Sequence, residues 1–141
     1  MPEKKSKPRH LVIGNKGEDL AADFLKTRNM SILERNWRPS SALPSGLRGL
    51  ELDIVAREGD TLVFVEVKTR TSKGQGPFNP LDAYPAAKQA KLKKAVALYL
   101  GEKKAWEQPC RFDLVCVEVT DAGLGCRVEL YQDALGGGEI F

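Results

Sequence analysis

No apolar run in this 141-residue chain approaches the roughly 18–20 residues that a bilayer-spanning helix requires. No apolar segment follows the charged stretch Met1 to His10 either, so the N-terminus does not read as a secretory signal. Cysteine is scarce: Cys110, Cys116 and Cys126 are odd in number and widely spaced, which fits neither a disulfide framework nor a CxxC zinc pair. Cys116 lies inside the apolar run Leu114 to Val119 and reads as a reduced core thiol, so the expected compartment is the cytoplasm. The single histidine, His10, sits in the N-terminal stretch and is a poor ligand or base. Nor is charge one-sided. Lys and Arg number 22 against 19 Asp and Glu, a formal +3, too mild to demand a polyanionic partner. The cations do cluster in Lys4–Arg9 and Lys88–Lys94, which permits nucleic-acid binding.

What is present is an ordinary soluble composition, 42% hydrophobic and 29% charged, in a length that suits one domain with a real core. Residues 1–12 read as a disordered basic tail, 13–133 as the domain, and 134–141 as a flexible C-terminal tail. Two stretches rich in Ser, Pro and Gly, Pro39 to Gly49 and Ser72 to Pro80, read as loops. Between them, Asn15 to Arg28 carries Leu20, Ala21, Phe24 and Leu25 at helical spacing. Pro85 to Leu100 does the same with Leu92, Ala95, Val96 and Tyr99, and Pro85 suits a helix start. Met30 to Trp37, Glu51 to Arg57, Thr61 to Thr69, Arg111 to Thr120 and Cys126 to Tyr131 read as strands. The order α-β-β-β-α-β-β predicts an α/β fold, a mixed sheet of about five strands flanked by helices.

The run Leu62-Val63-Phe64-Val65-Glu66-Val67-Lys68 is apolar on both faces and so predicts a central, doubly covered strand. Glu66 and Lys68 share a face of it. Two charges on one covered face call for partners. A two-residue hairpin at Gly59-Asp60 sets Ile54 opposite Val65, Asp53 opposite Glu66 and Glu51 opposite Lys68. Two carboxylates roughly 4.5–5.5 Å apart at Cβ repel unless a hard cation sits between them. Asp53 and Glu66 with Mg²⁺ or Mn²⁺, completed by the Val67 backbone carbonyl, and Lys68 to orient a water or stabilise charge, suit phosphodiester hydrolysis. Glu18 and Lys88 extend the apolar stripes of their helices and aim inward. Lys88, Lys91, Arg48 and Arg70 are the candidate contacts to nucleic acid.

Asp53 followed by Glu66-Val67-Lys68 resembles the D…ExK motif of the PD-(D/E)xK nuclease superfamily. With Gly14-Asn15-Lys16-Gly17-Glu18, Glu51 to Ala56, Lys88-Gln89 and Arg111-Phe112-Asp113, the chain resembles the YraN family of small bacterial endonuclease-like proteins, which is similar to archaeal Holliday-junction resolvases. The resemblance spans about Gly14 to Val119. It implies a restriction-endonuclease-like core, metal binding by Asp53 and Glu66, catalysis by Lys68 and an accessory role for Glu18. The family usually has Gly where Leu50 stands, and the Pro39–Gly49 loop is longer than the usual connection.

Blander readings compete. Asn15 to Glu18 has the spacing of a capping box, Glu51 could simply pair with Lys68 or solvent, and Lys91, Lys93 and Lys94 could be a solvated helix face. Asp113 reads as structural, tied to Arg111 or a nearby loop, and Trp37 and Trp106 as packing residues. The expected function is a DNA endonuclease acting on structured or single-stranded substrates, with a two-fold dimer suited to symmetric cutting. The alternatives are a non-catalytic nucleic-acid-binding module and a DNA-repair adaptor on the same fold.

Overall fold

A computed structural model describes residues 9–40, 49–72, 85–120 and 126–135. Its elements are α1 (Arg9–Thr27), β1 (Ser31–Trp37), β2 (Leu52–Glu58), β3 (Thr61–Ser72), α2 (Ala86–Lys103), β4 (Cys110–Thr120) and β5 (Cys126–Tyr131). The strands lie in sequence order, β1-β2-β3-β4-β5, in one mixed sheet. Only β3 and β4 pair in parallel among them. A parallel pair cannot be closed by a tight turn, and α2 lies in the crossover that joins these two strands. The architecture is the α/β sheet with two helices that the element order predicts.

Alternation along β3 divides the core. Leu62 and Phe64 join Leu92, Val96 and Tyr99 of α2 on one face, while Val63 and Val65 join Ala21, Ala22 and Leu25 of α1 on the other. Burying each such side chain contributes roughly 1.5–3 kcal/mol, and β3 does so on both faces at once. On the α2 side, Tyr99 meets Trp37 and Phe64 edge-on, with centroids 5.2 and 5.6 Å away. These contacts make Trp37 a packing residue. Trp106 differs from that expectation, because it is 59% exposed in the loop after α2.

The β2–β3 hairpin turns at Gly59, whose φ of +58° lies in the left-handed region that glycine enters without penalty. The resulting register pairs Glu58 with Thr61, Ala56 with Val63 and Ile54 with Val65, as the two-residue loop predicts. The ladder ends at Ile54 and Val65. Glu51 therefore is not tied to Lys68; it pairs with Arg38, Nη2 to Oε2, at 3.2 Å.

The first helix starts earlier than its apolar spacing predicts. α1 begins at Arg9, so residues 9–12 are helical and Asn15 lies inside the helix rather than at its start. Gly17, within the helix, is tolerated for a packing reason. A Cβ there would overlap Thr69 Oγ1 and come within 3.0 Å of its Cβ and Cγ2, so close approach of α1 to β3 requires glycine. At the other end, Ala134 and Leu135 pack on the core and the Ala134 amide donates to the Phe112 carbonyl at 2.9 Å. The Pro39–Gly49 and Ser72–Pro80 loops fall largely outside the described residues. No helix among the described residues is long and apolar enough to cross a membrane.

Candidate functional site

Glu66 continues the face of Leu62 and Phe64 towards the end of the sheet, and is 8% exposed. Asp53 stands beside it, one residue past the last β2–β3 pair. There the Asp53 side chain does what a strand backbone would otherwise do. Its Oδ2 accepts the Val67 amide at 2.9 Å, which fixes the carboxyl group against β3. The Asp53 carboxyl group lies near enough to Glu66 for its charge to act on it. Burial first, then the Asp53 charge, push Glu66 from its usual 4.5 up to about 7, against the opposing pull of Lys88.

Lys88 reaches that pair from the first turn of α2, where its ammonium forms an ion pair with Glu66 Oε1. Pro85, extended at φ −61° and ψ 157°, occupies the N-cap position without a side-chain capping bond, and no acidic residue occupies the first turn. A cation there opposes the helix dipole, so its position is set by Glu66 rather than by the helix.

Glu18 approaches from α1. It is half-buried, and burial and then the Asp53 charge raise its pKa, while a hydrogen bond from Asn36 pulls the other way. Asn36 is the residue that sequence reasoning missed. It lies on β1 between the pairs Arg35–Ile54 and Trp37–Leu52, level with Asp53, with a left-handed φ of 52°. An Asn tolerating that conformation within a strand is the one signal the sequence held, since its placement depends on a β1–β2 register that the intervening loop hides.

A cavity of about 220 Å³ opens over these groups, lined by Glu51, Asp53, Glu66, Lys88, Lys91 and Leu92 among others. Asp53, Glu66, Lys88 and Lys91 are thus brought together, with Glu18 in electrostatic reach of Asp53. Lys68 is two residues beyond Glu66 on its strand, exposed, and does not line the cavity. Val67, whose carbonyl was a candidate ligand, is held to Asp53 through its amide. Arg70 is engaged by Glu118 through Nε at 3.3 Å and Nη2 at 3.1 Å. Arg48 lies outside the described residues.

Among the described residues, no group of three or more His, Cys, Asp or Glu side chains is arranged to hold a metal ion. What the structure offers is a pair of carboxyl groups that repel when both are charged. Mg²⁺ is commonly held by one or two carboxylates, with water and substrate oxygens completing its shell, so Asp53 and Glu66 fit such a cation.

Comparison with known proteins agrees with the motif order. Residues 17–117 match the model of a family described as "Uncharacterised protein family UPF0102". A UPF0102 protein of Nitratidesulfovibrio vulgaris is 43% identical over 132 residues, covering 89% of this chain and 90% of the relative. One from Beutenbergia cavernae is 44% identical over 117 residues, covering 83% and 90%. One from Lawsonia intracellularis is 43% identical over 105 residues, covering 74% and 72%.

Proposed function

The chain belongs to the UPF0102 (YraN) family, and from that premise we propose that it is a metal-dependent endonuclease-like hydrolase of DNA phosphodiester bonds, acting on branched or structured DNA. The observation that carries the reading is the Asp53–Glu66 pair. Two neighbouring carboxyl groups, one pushed up to about 7, line a cavity that also presents two lysines. Such an arrangement disfavours the empty state at neutral pH and favours a hard cation.

Asp53 and Glu66 would hold Mg²⁺ or Mn²⁺, with the Val67 carbonyl as a third oxygen donor. Bound there, the cation supplies positive charge against phosphoryl oxygens and acidity to a water. The Val67 amide orients Asp53. Glu18, aimed at the same acidic centre and steadied by Asn36, would orient water at its edge. Lys91 and Lys88, on the α2 wall, would take phosphate oxygens, and Lys68 would stabilise charge in the transition state from beyond Glu66. Cytoplasmic DNA is the expected partner, and a two-fold dimer would place two such sites for symmetric cutting.

A second reading, a DNA-binding module without turnover, is favoured by one observation: Lys68 does not line the cavity. One experiment separates the two. Labelled single-stranded, duplex, flap and four-way-junction DNA is incubated with Mg²⁺ or Mn²⁺ and wild type, Asp53→Ala or Lys68→Ala. The nuclease reading expects cleavage by wild type that each variant loses by on the order of a hundredfold or more. Binding without cleavage under either metal supports the module, and equal cleavage by wild type and Asp53→Ala sinks the proposed site.

A further inference from the structure

Lys88 has an unusual position for a lysine. It occupies the first turn of α2, where the helix dipole disfavours a cation and where no acidic neighbour of the same turn compensates. Its stem rises from the cavity wall, and its ammonium is spent on Glu66 Oε1, the more buried partner; side-chain exposures are 39% and 10%. Glu66 is also one of the two side chains that fit a divalent cation. A single carboxylate pair thus faces two rival cations, one covalently attached to the chain.

We propose that Lys88 is a built-in counter-cation, which neutralises Glu66 while the site is empty and must leave it when a divalent cation enters. This inference rests on the metal-site reading above and adds a competition and an order to it. The exposure of the Lys88 side chain leaves it room to swing away, and Lys91, one turn further along the same wall, marks the direction in which a phosphate would lie. Lys88 becomes available to phosphate only once Glu66 has been taken by metal. Metal binding therefore precedes productive engagement of the nucleic-acid backbone. The device keeps an acidic pair compact without metal, at the expense of weaker metal affinity.

The test measures Mn²⁺ binding to the full chain, without nucleic acid, by the loss of the free-ion electron paramagnetic resonance signal. Lys88→Gln keeps a donor on a side chain one atom shorter and removes the charge. It should bind Mn²⁺ roughly tenfold more tightly than wild type, the factor expected when a charge-assisted hydrogen bond no longer has to be broken. Lys91→Gln removes the same charge from the same wall without touching Glu66 and should gain no more than about threefold from the general field. Lys88→Arg, with a guanidinium that holds carboxylate more firmly, should bind no more tightly than wild type. Unchanged or weaker binding by Lys88→Gln overturns the counter-cation, as does an equal gain in Lys88→Gln and Lys91→Gln. The Lys88→Arg arm keeps the question open to refutation even if Lys88→Gln folds poorly, since tighter binding by the arginine variant contradicts competition. If neither wild type nor Lys88→Gln binds Mn²⁺, the metal-site reading itself falls, and this inference with it.

Discussion

Glu66 and Asp113 are carboxylic acids on adjacent strands of one sheet, 8% and 0% exposed, and the fold treats them in opposite ways. Asp113 is saturated. Arg111 donates to it from Nε at 3.0 Å and from Nη2 at 3.1 Å, and the Asp133 amide adds a bond at 2.9 Å. The same Arg111 reaches on to Glu58 at 3.0 Å, so the network ties β2, β4 and the segment after β5 together. Glu66 receives one lysine and a second carboxyl group for a neighbour. A buried acid with all its partners is a structural rivet; one placed against its own kind is poised for something the chain does not supply.

Removing the two acids should therefore have opposite effects. Asp113→Ala leaves Arg111 half-paired and the Asp133 amide without its acceptor, and should lower stability by about 3–5 kcal/mol in urea unfolding. Glu66→Gln relieves repulsion and should leave metal-free stability within about 1 kcal/mol of wild type, or raise it. Similar losses for both would erase the distinction between rivet and site. Asp53→Ala, by contrast, should weaken Mn²⁺ binding by on the order of a hundredfold, whereas Asp113→Ala variants that remain folded should bind it normally.

The pH dependence sharpens the same comparison. Glu66 is raised from 4.5 to about 7 in the folded chain, by burial first and the Asp53 charge second. Between those values the folded state holds a proton that the unfolded state has lost. Its contribution to stability is full below about 4.5 and disappears as pH rises through about 7. Wild type should consequently lose stability relative to Glu66→Gln between about pH 4.5 and pH 7, read as a difference between their melting temperatures that widens in favour of the variant. A difference that stays flat across that range would mean Glu66 is not strained by Asp53. With Mn²⁺ present the slope reverses in sign, because metal must displace the proton and binding weakens below about pH 7.

The contrast was partly legible in the sequence. The Gly59-Asp60 turn is short enough to set the β2–β3 register, and period-two alternation then puts Asp53 and Glu66 side by side. Helical spacing from Leu92 and Ala95 aimed Lys88 inward, but its ion pair with Glu66 depends on how α2 sits over the sheet, which no local pattern encodes. Lys68 shows the same limit. Alternation assigns it to the face of Glu66, yet the cover over that face ends between the two, leaving Glu66 buried and Lys68 exposed. Gly17 lies inside the expected helix, and its helix-breaking tendency of about 1 kcal/mol is outweighed by the close approach of Thr69. Asn36 was hidden because a strand's alignment across a long connection has no local signature.

The smallest expected effect concerns the cations. Arg70 and Lys91 were both candidate phosphate contacts, but Arg70 is committed to Glu118 by two nitrogens, with side-chain exposures of 21% and 28%. Lys91 stands exposed on the cavity wall. A phosphate must compete with Glu118 for Arg70 and meets no such rival at Lys91 among the described residues. Lys91→Ala should therefore lower the salt slope of DNA affinity by about one counterion and weaken binding several-fold at low salt, while Arg70→Ala should change the slope by roughly half as much or less. Titrations of labelled DNA at stepped salt concentrations read both numbers. A slope that falls by a full counterion for Arg70→Ala and not for Lys91→Ala would show that the Glu118 pair opens on binding, and would move the nucleic-acid path from the α2 wall to the β3–β4 edge of the site.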